Sequence, residues 1–411
     1  MGTGQRIFII GGGPIGLEAA AYGRAAGLDV VLAERKDIGA SVASWGFVRM
    51  FTPWHLNTTP LGRATLGNDP LFASNACPTG QEFVDQYLLP LAESDLLQGC
   101  IDTGFRVLAV GHEEPDTTPG NRRRSGRFRL LVCDRYGIEQ IDHADYVLDC
   151  SGTYGNRRWA GRGGVPAVGE AGVKSAIWYT VPDVLGADRA SFENRRTMLV
   201  GAGTSALTVL QHLATLAAES PMTRVTWVVR RWGEVLSLAD EDPLPARRAL
   251  AEAALRLLAR PPAWLDVHEN ATVDRLDASH GLTAWLSGRD GVVERHVDEM
   301  IAAVGFRPDE MIHEPLGVTP AYADFHATEA ALGTNDLSVD SSSHTNALQG
   351  PPTVPSVGSD YYLLGHKSFG TNSNFLLRTG HRQVREVFRE ITGEPDFDLY
   401  ATANEACVGM A

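Results

Sequence analysis

An α/β fold with two Rossmann-like domains, each a three-layer ββα arrangement, is what this sequence predicts, and three observations predict it. The stretch Arg6 to Ala20 runs from a short apolar strand through G-x-G-x-x-G into an alanine-rich helix. The stretch Arg196 to Leu207 repeats the device as G-x-G-x-x-A. A group of short alternating strands follows each copy.

In the first copy, Ile7 to Ile10 reads as a buried parallel strand. Gly11 allows the tight turn, Gly13 lets the backbone approach a pyrophosphate, and Gly16 lets the helix pack close to the strand. The helix N-terminus then faces the phosphates. Gly27 ends the helix, and Asp29 to Glu34 forms a second strand. The Glu34 carboxylate at its end suits the hydroxyls of a ribose diol. Strand, helix and acid at these spacings mark a dinucleotide site rather than a bare glycine turn.

Ser41 to Asn57 is aromatic and poor in helix formers. Trp45 and Trp54 suit a lid on a flat conjugated ring, with Arg49 and His55 beside it; a core loop with two buried tryptophans is the alternative. Thr79 to Ser94 reads as a helix with Thr79 as N-cap and Glu82 completing a capping box, kinked or ended early by Pro90. Phe105 to Val110, Arg127 to Val132, Ile138 to Ile141 and Tyr146 to Leu148 read as an antiparallel meander returning to the first sheet. The Arg122–Arg124 run between them reads as a solvated loop tip. The meander ends in Asp149-Cys150-Ser151-Gly152-Thr153.

Residues 155 to 175 form a glycine-rich crossover. In the second copy Gly201 stands where Gly11 stood, followed by Gly203, Thr204, Ser205 and Ala206. The next strand, Arg224 to Val229, runs into Arg230 and Arg231, and two arginines take the place of the acid. A guanidinium pair suits a ribose 2′-phosphate, so this site is expected to take NADPH; two arginines that merely flank a strand end are the alternative. A helix over 243–260, strands near Thr272, Leu282 and Val292, and the run Glu299 to Pro308 complete the second meander. Thr334 to Asp360 is a long polar loop, Tyr361 to Gly365 a strand, His366 to Asn374 a polar loop, and Phe375 to Val387 the last helix.

The chain has 411 residues, 44% of them hydrophobic and 21% charged, with net charge −14. That balance argues against nucleic acid or an anionic membrane as a partner. No apolar run reaches a membrane span and no signal segment is recognisable, so a soluble cytoplasmic protein is expected. The five cysteines form no C-x-x-C, no cluster has zinc spacing, and no metal is expected.

Two Rossmann devices, with a strand meander between them, resemble the two-dinucleotide-binding-domain flavoproteins, a group that includes class B flavin monooxygenases, N-hydroxylating monooxygenases and thioredoxin-reductase-like enzymes. Gly11-x-Gly13-x-x-Gly16 with Glu34 matches the family's FAD motif, and Gly201-x-Gly203-x-x-Ala206 with Arg230 and Arg231 its NADPH motif. Ala303 to Asp309, through Gly305, looks like the linker motif that ends the NADPH domain, and Cys150-Ser151-Gly152 looks like its counterpart. Leu364 to Gly370 resembles the second FAD contact, with His366 where many relatives carry Asp. The resemblance implies an FAD domain over 1–154 and 340–411 and an NADPH domain over 155–339. It extends the FAD contacts to Pro14, Arg35, Trp45, Val107, Gly365, Asn374 and Phe375.

The family's dithiol is missing, and so is the F-x-G-x-x-x-H signature of its monooxygenase branches. Without a dithiol, the expected activity is a monooxygenase that uses FAD, NADPH and molecular oxygen. It would oxygenate an N, S or carbonyl centre of a small molecule through a flavin C4a-hydroperoxide. An NADPH-dependent flavin reductase and a slow-turnover redox sensor are the alternatives, and a homodimer is compatible with all three. Around the flavin, Arg49 and Lys367 are expected to tune the ring, and Trp54, His55 and Asn372 to face substrate. Backbone N–H groups near Asn374 and Phe375 are expected at its pyrimidine end.

Overall fold

The computed structural model describes residues 4–113, 126–242, 244–289, 291–317, 320, 322 and 360–408. The Arg122–Arg124 run and the polar stretch from Thr334 to residue 359 lie outside them. The chain divides into two units, Met1–Gly155 with Arg307–Ala411, and Asn156–Phe306. The first crossing lies at 155/156, where 154/155 is expected. The return lies at 306/307, well before the expected 339/340. The reason is local: the chain leaves the second unit directly after its last strand, at the Gly305 turn.

The first unit opens with β1 (Arg6–Ile10), α1 (Pro14–Ala25) and β2 (Asp29–Glu34). The capping box at Thr79 is present, and its helix runs through Gly80–Phe83, a π-helical turn at Val84–Leu88, and Leu89–Ala92. The widened turn sits just ahead of Pro90, which has no N–H for the regular ladder. A short β3 (Ile101–Thr103), unforeseen in the sequence, joins the edge beside β2. The meander is β4 (Arg106–His112), β5 (Phe128–Cys133) and β6 (Glu139–Ala144), paired antiparallel, and β7 (Tyr146–Asp149) re-enters beside β1.

In the second unit the crossover runs alongside a later strand, with Val168 N–H on Asp274 O (2.8 Å) and Leu276 N–H on Val168 O (2.8 Å). Buried Glu170 fastens it by accepting from Ala160 N–H, Ala167 N–H and the Tyr179 hydroxyl, each at 2.8 Å. Then come β8 (Ile177–Trp178), β9 (Arg196–Val200), α2 (Thr204–Glu219) and β10 (Arg224–Val229). Two helices follow, α3 (Gly233–Glu241) and α4 (Pro245–Ala259), of which the sequence shows only the second. The unit ends with β11 (Leu265–Glu269), β12 (Thr272–Asp277), β13 (Leu282–Gly288), β14 (Gly291–Val297) and β15 (Glu299–Ala302). A parallel sheet in the order β11-β10-β9-β15-β8 faces an antiparallel β12-β13-β14.

The return supplies β16 (Tyr361–Leu363), α5 (Leu377–Thr392) and α6 (Leu399–Val408). β16 completes a parallel sheet in the order β16-β7-β1-β2-β3. The last helix lies in a tail whose sequence is weakly patterned. It docks through aromatic contacts: Tyr22 on α1 meets Phe388, Phe397 and Tyr400, and its hydroxyl accepts Leu399 N–H at 2.9 Å. Among the described residues no helix is long and apolar enough to cross a membrane.

Candidate nucleotide sites

In the first unit the phosphate loop is built by close approach. Gly11 has φ +105°, and a Cβ there would lie 2.8 Å from Cys150 O. A Cβ at Gly16 would strike the Gly11 carbonyl oxygen, and one at Gly12 would meet Ile38 and Glu34. A Cβ at Gly13 would meet no atom within 4 Å. Among the described residues Gly13 therefore serves no packing, and its open side has the room that a pyrophosphate would need. It precedes Pro14 and the N-terminus of α1, which has no side-chain cap. The Glu34 carboxylate accepts Gly12 N–H (2.7 Å) and Lys36 N–H (2.8 Å), which fixes it beside the loop with lone pairs left for a diol. Arg35 is exposed, its guanidinium against Gly155.

The other expected FAD segments converge on this loop. Ile15 is the pivot, contacted at the Cβ positions of both Gly365 and Gly380, the latter on α5. Cys150 touches Gly11 and Gly16, and Thr153 Oγ1 meets His366 Nδ1 at 3.1 Å. The second His366 nitrogen, Nε2, donates to Asn372 O (3.2 Å), and the ring stacks on Phe375. His366 thus stands as a satisfied, neutral imidazole, with burial pushing its pKa down. The Asn372 side chain accepts Asn374 N–H at 2.9 Å and closes the turn before α5, whose N-terminus also lacks a side-chain cap. Val107 points into the core with Phe8 and Phe128, so any cofactor contact from it runs through its backbone. Ser151 and Gly152 lie next to this centre, but the Ser151 hydroxyl is spent on Asp149 Oδ1 at 2.6 Å.

Two expectations about tuning and substrate groups are corrected. Lys367 carries no free charge: it is fully buried, with its ammonium 2.6 Å from the equally buried Asp149 carboxylate. Trp54 is a core residue, 3% exposed and packed against Phe72 and Phe83. Arg49 is exposed, its guanidinium on Cys77 O and 3.8 Å from Glu82. His55 is half-buried with Nδ1 3.2 Å from Ser74 O. The aromatic segment is held by 76–81, through Met50 N–H on Pro78 O and Gly80 N–H on Val48 O, and Trp45 lies over Gly80. The turn Trp54–Asn57 packs against α5.

The second unit repeats the loop. Gly201 has φ +126° and a Cβ there would strike Ala303 O, as Gly11 does with Cys150. Gly203 precedes α2 in the same extended conformation as Gly13, with Leu207 N–H on Gly203 O at 3.1 Å against Leu17 N–H on Gly13 O at 3.0 Å. Thr204 and Ser205 form the first turn, and Gly305, at φ +84°, follows β15. The register refines the sequence reading. Ile10 pairs with Ala33 and Val200 with Val228, so the position of Glu34 is taken by buried Val229. Arg230 and Arg231 follow it, at the positions of Arg35 and Lys36. Both are exposed, and among the described residues neither has a hydrogen-bond or ion-pair partner.

No protein-family model and no curated protein matches the chain. Solved structures do. The bacillithiol disulfide reductase Bdr (YpdA) from Bacillus cereus superposes with a TM-score of 0.65 at 16% identity, over 95% of this chain and 99% of its own. DfoA, a cadaverine monooxygenase from Erwinia amylovora solved with FAD bound, gives 0.61 at 15%, over 94% of each chain. A flavin monooxygenase variant from Stenotrophomonas maltophilia gives 0.55 at 22%, over 95% and 99%. This chain has the fold of the two-dinucleotide-binding-domain flavoproteins. Both phosphate loops lie where that fold puts a nucleotide, at the carboxyl ends of β1 and β9.

Proposed function

We propose that the protein is an FAD-dependent, NADPH-using oxidoreductase, and that its reaction is the oxygenation of an N, S or carbonyl centre of a small molecule. The observation that carries the cofactor reading is the pairing of two open phosphate loops with opposite chemistry beside them. One ends on a fixed carboxylate, the other on an apolar residue and two guanidiniums that have no partner among the described residues. FAD fits the first, and a 2′-phosphorylated nicotinamide nucleotide fits the second. Bound, the two nucleotides supply hydride transfer and oxygen activation. The chain's own residues have the simpler tasks of orienting the rings and excluding water. Two of the similar structures are a cadaverine monooxygenase and a flavin monooxygenase, and the sequence has no C-x-x-C for disulfide chemistry.

Two experiments test this. Gly13→Val places its side chain where no protein atom stands, so the protein should fold as the parent does and purify colourless; a fully yellow variant would mean the FAD site is misassigned. The parent protein is then mixed with NADPH in air, following nucleotide loss, peroxide and the visible spectrum. A long-lived new band between reduction and reoxidation supports oxygenation. Fast turnover that needs an added acceptor, with no such band, points instead to a reductase, and negligible reduction to a sensor.

A further inference from the structure

The loop after β16 carries three polar side chains in a row, and each is consumed in holding the loop. His366 binds Thr153 at one nitrogen and Asn372 O at the other. Ser368 Oγ donates to Gly365 O (2.7 Å) and accepts from Gln383 Nε2 (2.8 Å), while Gln383 Oε1 accepts Gly365 N–H (3.0 Å). Between them Lys367 Nζ donates to Asp149 Oδ2 (2.6 Å), Ser151 Oγ (3.2 Å) and Asp309 O (2.8 Å). Asp149 also accepts the Tyr361 hydroxyl (2.7 Å), the Ser151 hydroxyl (2.6 Å) and Ser151 N–H (3.1 Å).

This network is closed and neutral. Three ammonium hydrogens meet three acceptors, and both charged side chains are fully buried. Burial alone would raise the Asp149 carboxyl; the Lys367 charge and the Ser151 and Tyr361 hydrogen bonds outweigh it and hold it below the usual range. An ammonium neutralised in this way presents little net charge to a third group. What it does fix is position. It ties the loop to the end of β7 and to residue 309, while Gly365 and Gly380 close on Ile15 beside the phosphate loop.

Resting on the FAD reading above, we propose that the Lys367–Asp149 pair is a positioning latch for the flavin. It holds residues 365–376 and the uncapped start of α5 at the cofactor, and Lys367 acts by geometry rather than by charge. Lys367→Met leaves Asp149 as an unpaired buried charge, whereas Lys367→Met/Asp149→Asn leaves none.

Both variants are compared with the full-length parent by thermal melting, hydrogen exchange and FAD titration, with the spectrum and midpoint potential of the bound flavin. The single variant should melt earlier. The double variant should regain most of the melting temperature, yet in both the amides of 365–376 should exchange roughly tenfold faster or more while those of β1 and β2 stay protected. The FAD Kd should rise by roughly tenfold in both, with a perturbed flavin spectrum. Loop exchange at the parent rate in the double variant, or parent-like Kd and spectrum, would reduce the pair to core filling. A lowered potential in Lys367→Met with unchanged loop exchange would make it a charge-tuning lysine and overturn the latch. A parent that takes up no FAD refutes the cofactor reading alone, since the exchange arm still decides whether the pair holds the loop.

Discussion

The two phosphate loops share a backbone and differ in how each is closed. In the first, Gly16 sits so near Gly11 that a methyl group there would strike the Gly11 carbonyl oxygen. In the second, Ala206 fills that position, with its Cβ 3.6 Å from the Cβ position of Gly201. The first loop is braced by Glu34 on Gly12 N–H; the second has Val229 at that register and is braced from above by Trp227 Nε1 on Gly201 O at 2.9 Å. One device has thus been closed in two ways. The acid that suits a diol also serves as a structural clasp, and moving that clasp to an indole leaves the second strand end free to carry cations.

The largest effect should come from breaking that asymmetry at the third glycine. Gly16→Ala forces α1 away from the turn and should cost about 3 kcal/mol, with loss of bound flavin. Ala206→Gly loses a methyl group and helix propensity, and should cost about 1 kcal/mol. Urea midpoints and visible absorbance of the purified variants measure both. A yellow, parent-like Gly16→Ala protein would show that the two turns are equally roomy.

The helices behind the loops differ next. Counted from the loop glycines, Glu18 on α1 corresponds to Thr208 on α2. Thr208 satisfies itself on Thr204 O at 3.0 Å. Glu18 is buried, accepts from Thr59 Oγ1 at 3.0 Å, and burial raises its pKa to about 7 against the hydrogen bonds of Thr59 and Tyr400 and the charge of Arg63. Folded Glu18 therefore keeps a proton that the unfolded chain loses above pH 4.5, and stability falls as pH rises from there to about 7. His381, lowered to about 3 by burial and then by Arg63, refuses a proton that the unfolded chain accepts below 6.5. Its contribution falls as pH drops, so between 4.5 and 6.5 the two slopes oppose each other. Glu18→Gln should remove one of them. The parent's stability relative to the variant should drop by about 3 kcal/mol from pH 4.5 to 7, read from urea curves across that range. A pH-independent difference would mean that Glu18 is ionised throughout.

The loops were legible because their function constrains backbone: glycines at fixed spacing leave few alternatives, and both copies fold as read. The strand-end chemistry was legible in kind, although only pairing with β9 shows that Val229, not Arg230, stands opposite the place of Glu34. Side-chain fates in the loop after β16 were not legible. Lys367 and Asp149 lie 218 residues apart, and nothing local distinguishes a lysine that faces a ligand from one that faces a carboxylate. One sign was available: Asp149 ends a buried apolar strand, and a carboxylate there needs a cation. Trp54 misleads for a related reason, since an aromatic residue in a loop rich in Trp and Phe packs as readily inward as over a ring. The helix α6 escaped because its weak periodicity left tertiary packing to decide it, and α3 because its nine residues are too few to stand out.

The strand ends can be tested directly. Arg230 and Arg231 are exposed, so each is expected to contribute to nucleotide binding through charge-assisted hydrogen bonds that solvent partly screens. Arg230→Gln/Arg231→Gln should leave melting unchanged, because among the described residues neither guanidinium has a hydrogen-bond or ion-pair partner to lose. The KM for NADPH should rise by roughly tenfold or more, equivalent to about 1.4 kcal/mol. The KM for NADH, which has no 2′-phosphate, should change little, and the NADPH effect should shrink as salt is raised. A reciprocal change sharpens the comparison with Glu34: Val229→Glu puts a carboxylate at the register where the first copy has one. There it would repel a 2′-phosphate and suit a free diol, so NADPH should weaken and NADH gain. Equal losses with both nucleotides in the arginine variant would remove the cations from the nucleotide site and leave the two strand ends without a functional difference.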